Sequence, residues 1–180
     1  MVKIMKKSTS RVLPFKWIGL FSGLLFFLLA PLSPIAAEDQ LFPYTLGVGA
    51  EANQNTREGL AFSYGAALDR HLAYTNGKSM LLVGVKGYML TDFNSISGTE
   101  ADVYLRLNAF WLGPGSFFGQ LSWGFSGYKE DDIDVKTMLA DFTIGYRFFF
   151  LGGFYAEPYF RAGFPFRIGF GVMAGHRFAF

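Results

Sequence analysis

The chain of 180 residues has no cysteine. Disulfides, thiolate metal sites and cysteine nucleophiles are thereby excluded together. It has two histidines, His71 and His176, and no glycine-rich phosphate loop. It also lacks an apolar run long enough for a spanning helix. Residues 17–30 form an apolar run of fourteen residues, whereas a transmembrane helix needs about 20. No acidic residue precedes Glu38, and five of the sixteen basic residues (Lys3, Lys6, Lys7, Arg11, Lys16) lie in the first sixteen positions. Without them, eleven basic residues face fourteen acidic ones, so the formal charge of +2 becomes −3. A basic surface for nucleic acid has no support.

The basic start, the apolar run, Pro31 and Pro34, and the small residues Ala36 and Ala37 occur in the order of a secretory signal peptide. Cleavage is expected before Glu38. Residues 1–37 are then the leader, and residues 38–180 form one domain of 143 residues.

Beyond Glu38 the chain alternates with period two, the mark of strands with two unlike faces. Tyr44, Leu46, Val48, Ala50 and Ala52 oppose Thr45, Gly47, Gly49, Glu51 and Asn53. Val103, Leu105, Leu107, Ala109 and Trp111 oppose Asp102, Tyr104, Arg106 and Asn108. Six further runs follow the same rule, and the last, residues 166–180, ends on Phe178 and Phe180. The third run is the least regular, because Leu82 and Leu90 fall on its polar row. Turn-like or polar stretches separate the runs at residues 54–59, 94–100 and 129–134, and at Asn76-Gly77, Gly113-Pro114-Gly115 and Gly152-Gly153. Loops of about six to eight residues are expected at one end. Pro158 falls inside the seventh run, where a bulge or a lost ladder bond is expected.

The apolar row is crowded with Phe, Tyr, Trp and Leu, while the other row is rich in Gly, Ser, Thr and Asn. An eight-stranded barrel has an interior just wide enough to be filled by side chains. The bulky row would overfill it, so that row is expected to face outward. The fold class is therefore all-β: an eight-stranded antiparallel up-and-down transmembrane β-barrel. Aromatic residues gather at one end of the runs (Phe42, Tyr44, Tyr74, Trp111, Phe117, Phe148, Phe150, Phe154, Phe178, Phe180), as an interfacial girdle would.

The eight alternating runs, the terminal aromatic strand and the segment of residues 155–163 resemble the small eight-stranded bacterial outer-membrane barrels of the OmpA transmembrane domain, OmpX and OmpW kind. The resemblance implies residence in the outer membrane, contact with its lipid, and handling by periplasmic chaperones and the barrel-assembly machinery during biogenesis. It also implies that Phe178 and Phe180 act as the assembly signal.

The inward row carries five acidic residues (Glu51, Asp69, Asp102, Asp141, Glu157) and six basic ones (Lys86, Arg106, Arg147, Arg161, Arg167, Arg177). Buried charges are costly unless paired, so mixed sign points to an internal ion-pair network. Glu157 is expected between Arg147 and Arg177. The inward glycines leave open the alternative of a water-filled or ligand-sized gap.

Neither histidine has a neighbouring serine in a His-x-Ser arrangement, so no enzyme is expected. The acidic stretch 129–134 lacks the glycine spacing of a calcium loop. No metal and no cofactor is expected. The sequence reads as a barrel with a structural, surface-contact or host-interaction role. The alternative is a narrow channel or carrier for small, including apolar, solutes.

Overall fold

A computed structural model describes residues 42–55, 59–75, 78–93, 96–112, 115–130 and 133–179. The leader, the start at Glu38 and Phe180 lie outside the described residues. Eight strands follow one another: β1 (Tyr44–Asn55), β2 (Gly59–Thr75), β3 (Lys78–Thr91), β4 (Ile96–Leu112), β5 (Gly115–Glu130), β6 (Ile133–Phe149), β7 (Phe154–Phe164) and β8 (Phe166–Phe178). Each pairs antiparallel with the next, and β1 pairs with β8, so the sheet closes into a barrel. Closure leaves no unpaired edge strand. We call the end holding Tyr44 and Phe178 the near rim, and the opposite end the far rim.

The two rows separate as the alternation requires. Val48, Trp123, Met138 and Phe170 are exposed on the outer row, whereas Glu51, Asp69, Asp102, Arg147 and Glu157 are buried on the inner one. Leu82 and Leu90, which break the pattern of β3, are also inner-row residues and are buried. Leu90 packs with Ala61 and Tyr128 near the far rim.

The far-rim loops are shorter than the polar stretches indicate. Three residues separate β1 from β2, four separate β3 from β4, two separate β5 from β6, and Pro165 alone joins β7 to β8. Most of 94–100 and 129–134 is strand instead. Alternation reports that a strand has unlike faces. It falls silent where both faces are polar, although the backbone ladder continues there.

Pro158 has a local effect only. The β6–β7 register is the same on both sides of it, from Gly145↔Tyr159 to Phe148↔Ala156, but the pairs between are missing from the ladder. Proline has no N–H to donate, so pairing lapses without a bulge. At the near rim, Gly152 and Gly153 have φ of 76° and 82°, which glycine adopts without a Cβ penalty.

Candidate functional site

The inner row builds three layers. The first lies toward the near rim and centres on Glu157 of β7. Arg106 of β4 grips this carboxylate with both terminal nitrogens: Nη1 lies 2.9 Å from Oε2 and Nη2 3.0 Å from Oε1. Planar, bidentate pairing of this kind is strong and directional. Arg147 of β6 donates from Nε to Glu157 Oε2 at 2.6 Å and from Nη2 to Asp69 Oδ2 at 3.0 Å. Thr45 donates its hydroxyl to the same Asp69 oxygen. Gln120 accepts from Arg106 Nε at 3.0 Å and Nη2 at 2.7 Å. The guanidinium carbons of Arg106 and Arg147 lie 4.1 Å from the ring centroids of Phe118 and Tyr155, within cation–π range. The layer thus ties β1, β2, β4, β5, β6 and β7 together through the barrel interior.

The second layer is aromatic. Tyr88, Tyr104, Phe118, Tyr155 and Tyr159 pack with Ala67 and Met173. The Tyr88 and Tyr159 hydroxyls are 3.2 Å apart. Inner glycines face these rings: a Cβ on Gly84 would strike Tyr104, and one on Gly171 would strike Tyr159. The glycine space is therefore occupied. A small cavity here, of about 10 Å³, is bordered by Lys86, Arg106, Tyr88, Tyr104, Tyr159 and Glu157 among others, room for about one water.

The third layer lies toward the far rim and centres on Arg161, two inner positions beyond Glu157 on β7. Arg161 Nη2 is 2.7 Å from Glu51 Oε1, and Nη1 is 3.2 Å from Glu100 Oε2 and 3.7 Å from Asp141 Oδ2. Nη2 also donates to Asn53 Oδ1 at 3.2 Å, and Asn53 Nδ2 donates to Ser63 at 2.9 Å. Lys86 Nζ lies 3.4 Å from Asp102 Oδ2. All of these charged groups are buried.

The structure brings Asp69, Arg106, Arg147 and Glu157 into one group, and Glu51, Asp141 and Arg161 into another, with Asp102 paired to Lys86. Arg177 is a correction: Arg106, not Arg177, is the second cation on Glu157. Glu157 faces Met173 on β8, and Arg177 lies four residues further along, about 13 Å at the rise of a strand. Its guanidinium instead lies 4.7 Å from the Phe149 ring centroid at the near rim. The Arg167 side chain lies outside what the structure describes. Glu100 escaped sequence reasoning because it sits at the end of a polar stretch. Its parity with Asp102, Tyr104 and Arg106 was the available signal.

The His71 ring is buried and stacks on Tyr74 with centroids 6.0 Å apart. His176 donates from Nε2 to the Gly152 carbonyl at 2.7 Å. Phe178 stacks on Tyr44, its register partner, at 5.8 Å. Among the described residues, no group of three or more His, Asp or Glu is arranged to hold a metal ion.

No protein-family model matches the sequence, and no curated protein does either. Solved structures do match. The N-terminal β-barrel domain of Pseudomonas aeruginosa OprF aligns with a TM-score of 0.55 at 10% identity, over 74% of this chain and 97% of that one. Neisserial surface protein A (NspA) aligns with a TM-score of 0.53 at 12% identity, over 76% of this chain and 96% of that one. This chain has their fold. Identity at this level carries architecture and no particular side chain.

Proposed function

We propose that the protein is an integral outer-membrane barrel with a closed interior, serving a structural and surface-contact role and not a conducting or enzymatic one. The observation that carries this reading is the inversion of the two rows. Large apolar side chains cover the outside while arginines, lysine and carboxylates fill the inside. Soluble proteins rarely expose a contiguous apolar patch above a few hundred Å², and a membrane barrel requires an apolar outer band around a polar lumen. On β4 the apolar outer row runs from Ala101 to Ala109 and on β5 from Phe117 to Phe125, nine residues each. A tilted spanning strand needs about 9–11.

The likeness to OprF and NspA supports the architecture, and the signal-like leader supports export with cleavage before Glu38. The filled aromatic layer argues against a channel, since the space left in it is about 10 Å³. The surface-contact role rests on the far rim. There the outer row of β4, β5 and β6 turns polar, with Ser97, Thr99, Lys129, Asp134 and Lys136 exposed. These hairpins rise beyond the apolar band, whereas β7 and β8 carry exposed Phe164 and Ile168 next to their turn. The raised edge presents a short, mixed-charge surface. Phe178 with Phe180 remains the proposed assembly signal.

Fractionation of bacterial envelopes expressing the full chain tests the membrane assignment. The protein is expected in the outer-membrane fraction, resistant to alkaline carbonate, with a mature start at Glu38. Recovery in a soluble fraction contradicts it.

A further inference from the structure

Among the described residues, the outer face has a depression of about 580 Å³ that is almost purely apolar. It follows register partners across the strands: Ala109 faces Phe117 and, one outer position further along β5, Gly119 faces Ile144, Ile144 faces Phe160, and Phe160 faces Phe170. Small outward residues, Ala109, Gly119 and Pro158, create the space, and the rings of Phe117, Tyr146, Phe160 and Phe170 border it. Four strand-to-strand steps make it about 19 Å long at about 4.8 Å each. Ala109 and Phe117 lie three and two residues from the near-rim ends of their strands, whereas Phe170 lies eight residues from the end of β8. The groove therefore climbs obliquely from the near rim to mid-height.

We propose that this groove is a binding site for one acyl chain of a glycerophospholipid from the near-rim leaflet. The inference rests on the membrane reading above, because the groove is continuous with the apolar outer band. Its volume lies in the range of ligand pockets, about 300–1,000 Å³. A void against hydrocarbon forfeits dispersion contacts along its lining, so a chain that fills it is held more firmly than its neighbours. The oblique, one-ended course suits a chain whose headgroup stays at the near-rim interface. It does not suit a ligand anchored at the far rim.

Gly119 makes the test selective. A Cβ there would meet only Phe142, at 3.7 and 3.8 Å, in ordinary contact, and a Cβ on Gly127, on the same strand and row, would meet nothing within 4 Å. Gly119→Leu fills the groove, and Gly127→Leu adds the same bulk outside it. The full chain and both variants are extracted from outer membranes in mild detergent, and retained lipid is read by native mass spectrometry. The wild type and Gly127→Leu are expected to keep one phospholipid per barrel. Gly119→Leu is expected to lose it at least five-fold with an unchanged unfolding midpoint. Ala109→Leu, on another strand, should act like Gly119→Leu. Equal retention in all variants, equal loss in both glycine variants, or retention of lipid A instead overturns the site while leaving the membrane assignment intact. Failure of the wild type to enter membranes overturns both.

Discussion

The two charged layers of the interior are built from the same chemistry and differ in balance. The near-rim layer matches Arg106 and Arg147 against Asp69 and Glu157, and every carboxylate there has an arginine within 3.0 Å. The far-rim layer sets Arg161 and Lys86 against Glu51, Glu100, Asp102 and Asp141. One guanidinium serves three carboxylates, at up to 3.7 Å. A balanced layer can lose one member and keep a pair, whereas a hub cannot. On β4 Tyr104 stands between Arg106 and Asp102, and on β7 Tyr159 stands between Glu157 and Arg161, so each layer is expected to respond to substitution on its own.

Arg161→Met should have the largest effect. It leaves Glu51, Glu100 and Asp141 facing one another without their shared cation. Breaking a buried pair by removing one partner costs about 3–5 kcal/mol, and the upper end is expected in the urea unfolding midpoint of the refolded barrel. Adding Glu51→Gln should return part of the loss.

Glu157→Gln comes next, at about 3 kcal/mol, because Arg147 keeps Asp69 while Arg106 keeps only Gln120. A double-mutant cycle sharpens this. Arg106→Met in the Glu157→Gln background should recover stability, whereas Arg147→Met should not, since it also strips Asp69. If Arg161→Met and Glu157→Gln cost the same, the contrast between hub and balanced layer fails.

Gly84→Val drives a side chain into Tyr104, and overpacking of this kind costs about 1–3 kcal/mol. The smallest effect belongs to Arg177→Gln. That side chain is only partly buried at the near rim, and loss there should stay below about 1 kcal/mol.

The barrel was legible because alternation assigns each residue to a face, and faces fix inward and outward sets along every strand. Glu51, Asp69, Asp102, Arg106, Asp141, Arg147, Glu157 and Arg161 follow from parity alone. Who meets whom across the interior does not follow. Arg106 reaches Glu157 from β4 to β7 across the lumen, a distance set by barrel width and stagger and absent from any one strand's pattern. Arg177 shows the same limit, since it shares the inner row with Glu157 but the β7–β8 register separates them. The aromatic layer was half visible. Tyr88, Tyr104, Tyr155 and Tyr159 sit on the inner row, but only the structure shows the Tyr104 and Tyr159 rings lying over Gly84 and Gly171 on neighbouring strands.

The most direct test of a closed interior is single-channel recording of the refolded protein in planar bilayers with concentrated potassium chloride. Inserted wild-type barrels are expected to add no steady conductance above the lipid baseline. Reproducible, uniform current steps from inserted wild-type protein would contradict a lumen sealed by two ion-pair layers and the aromatic cluster packed against them.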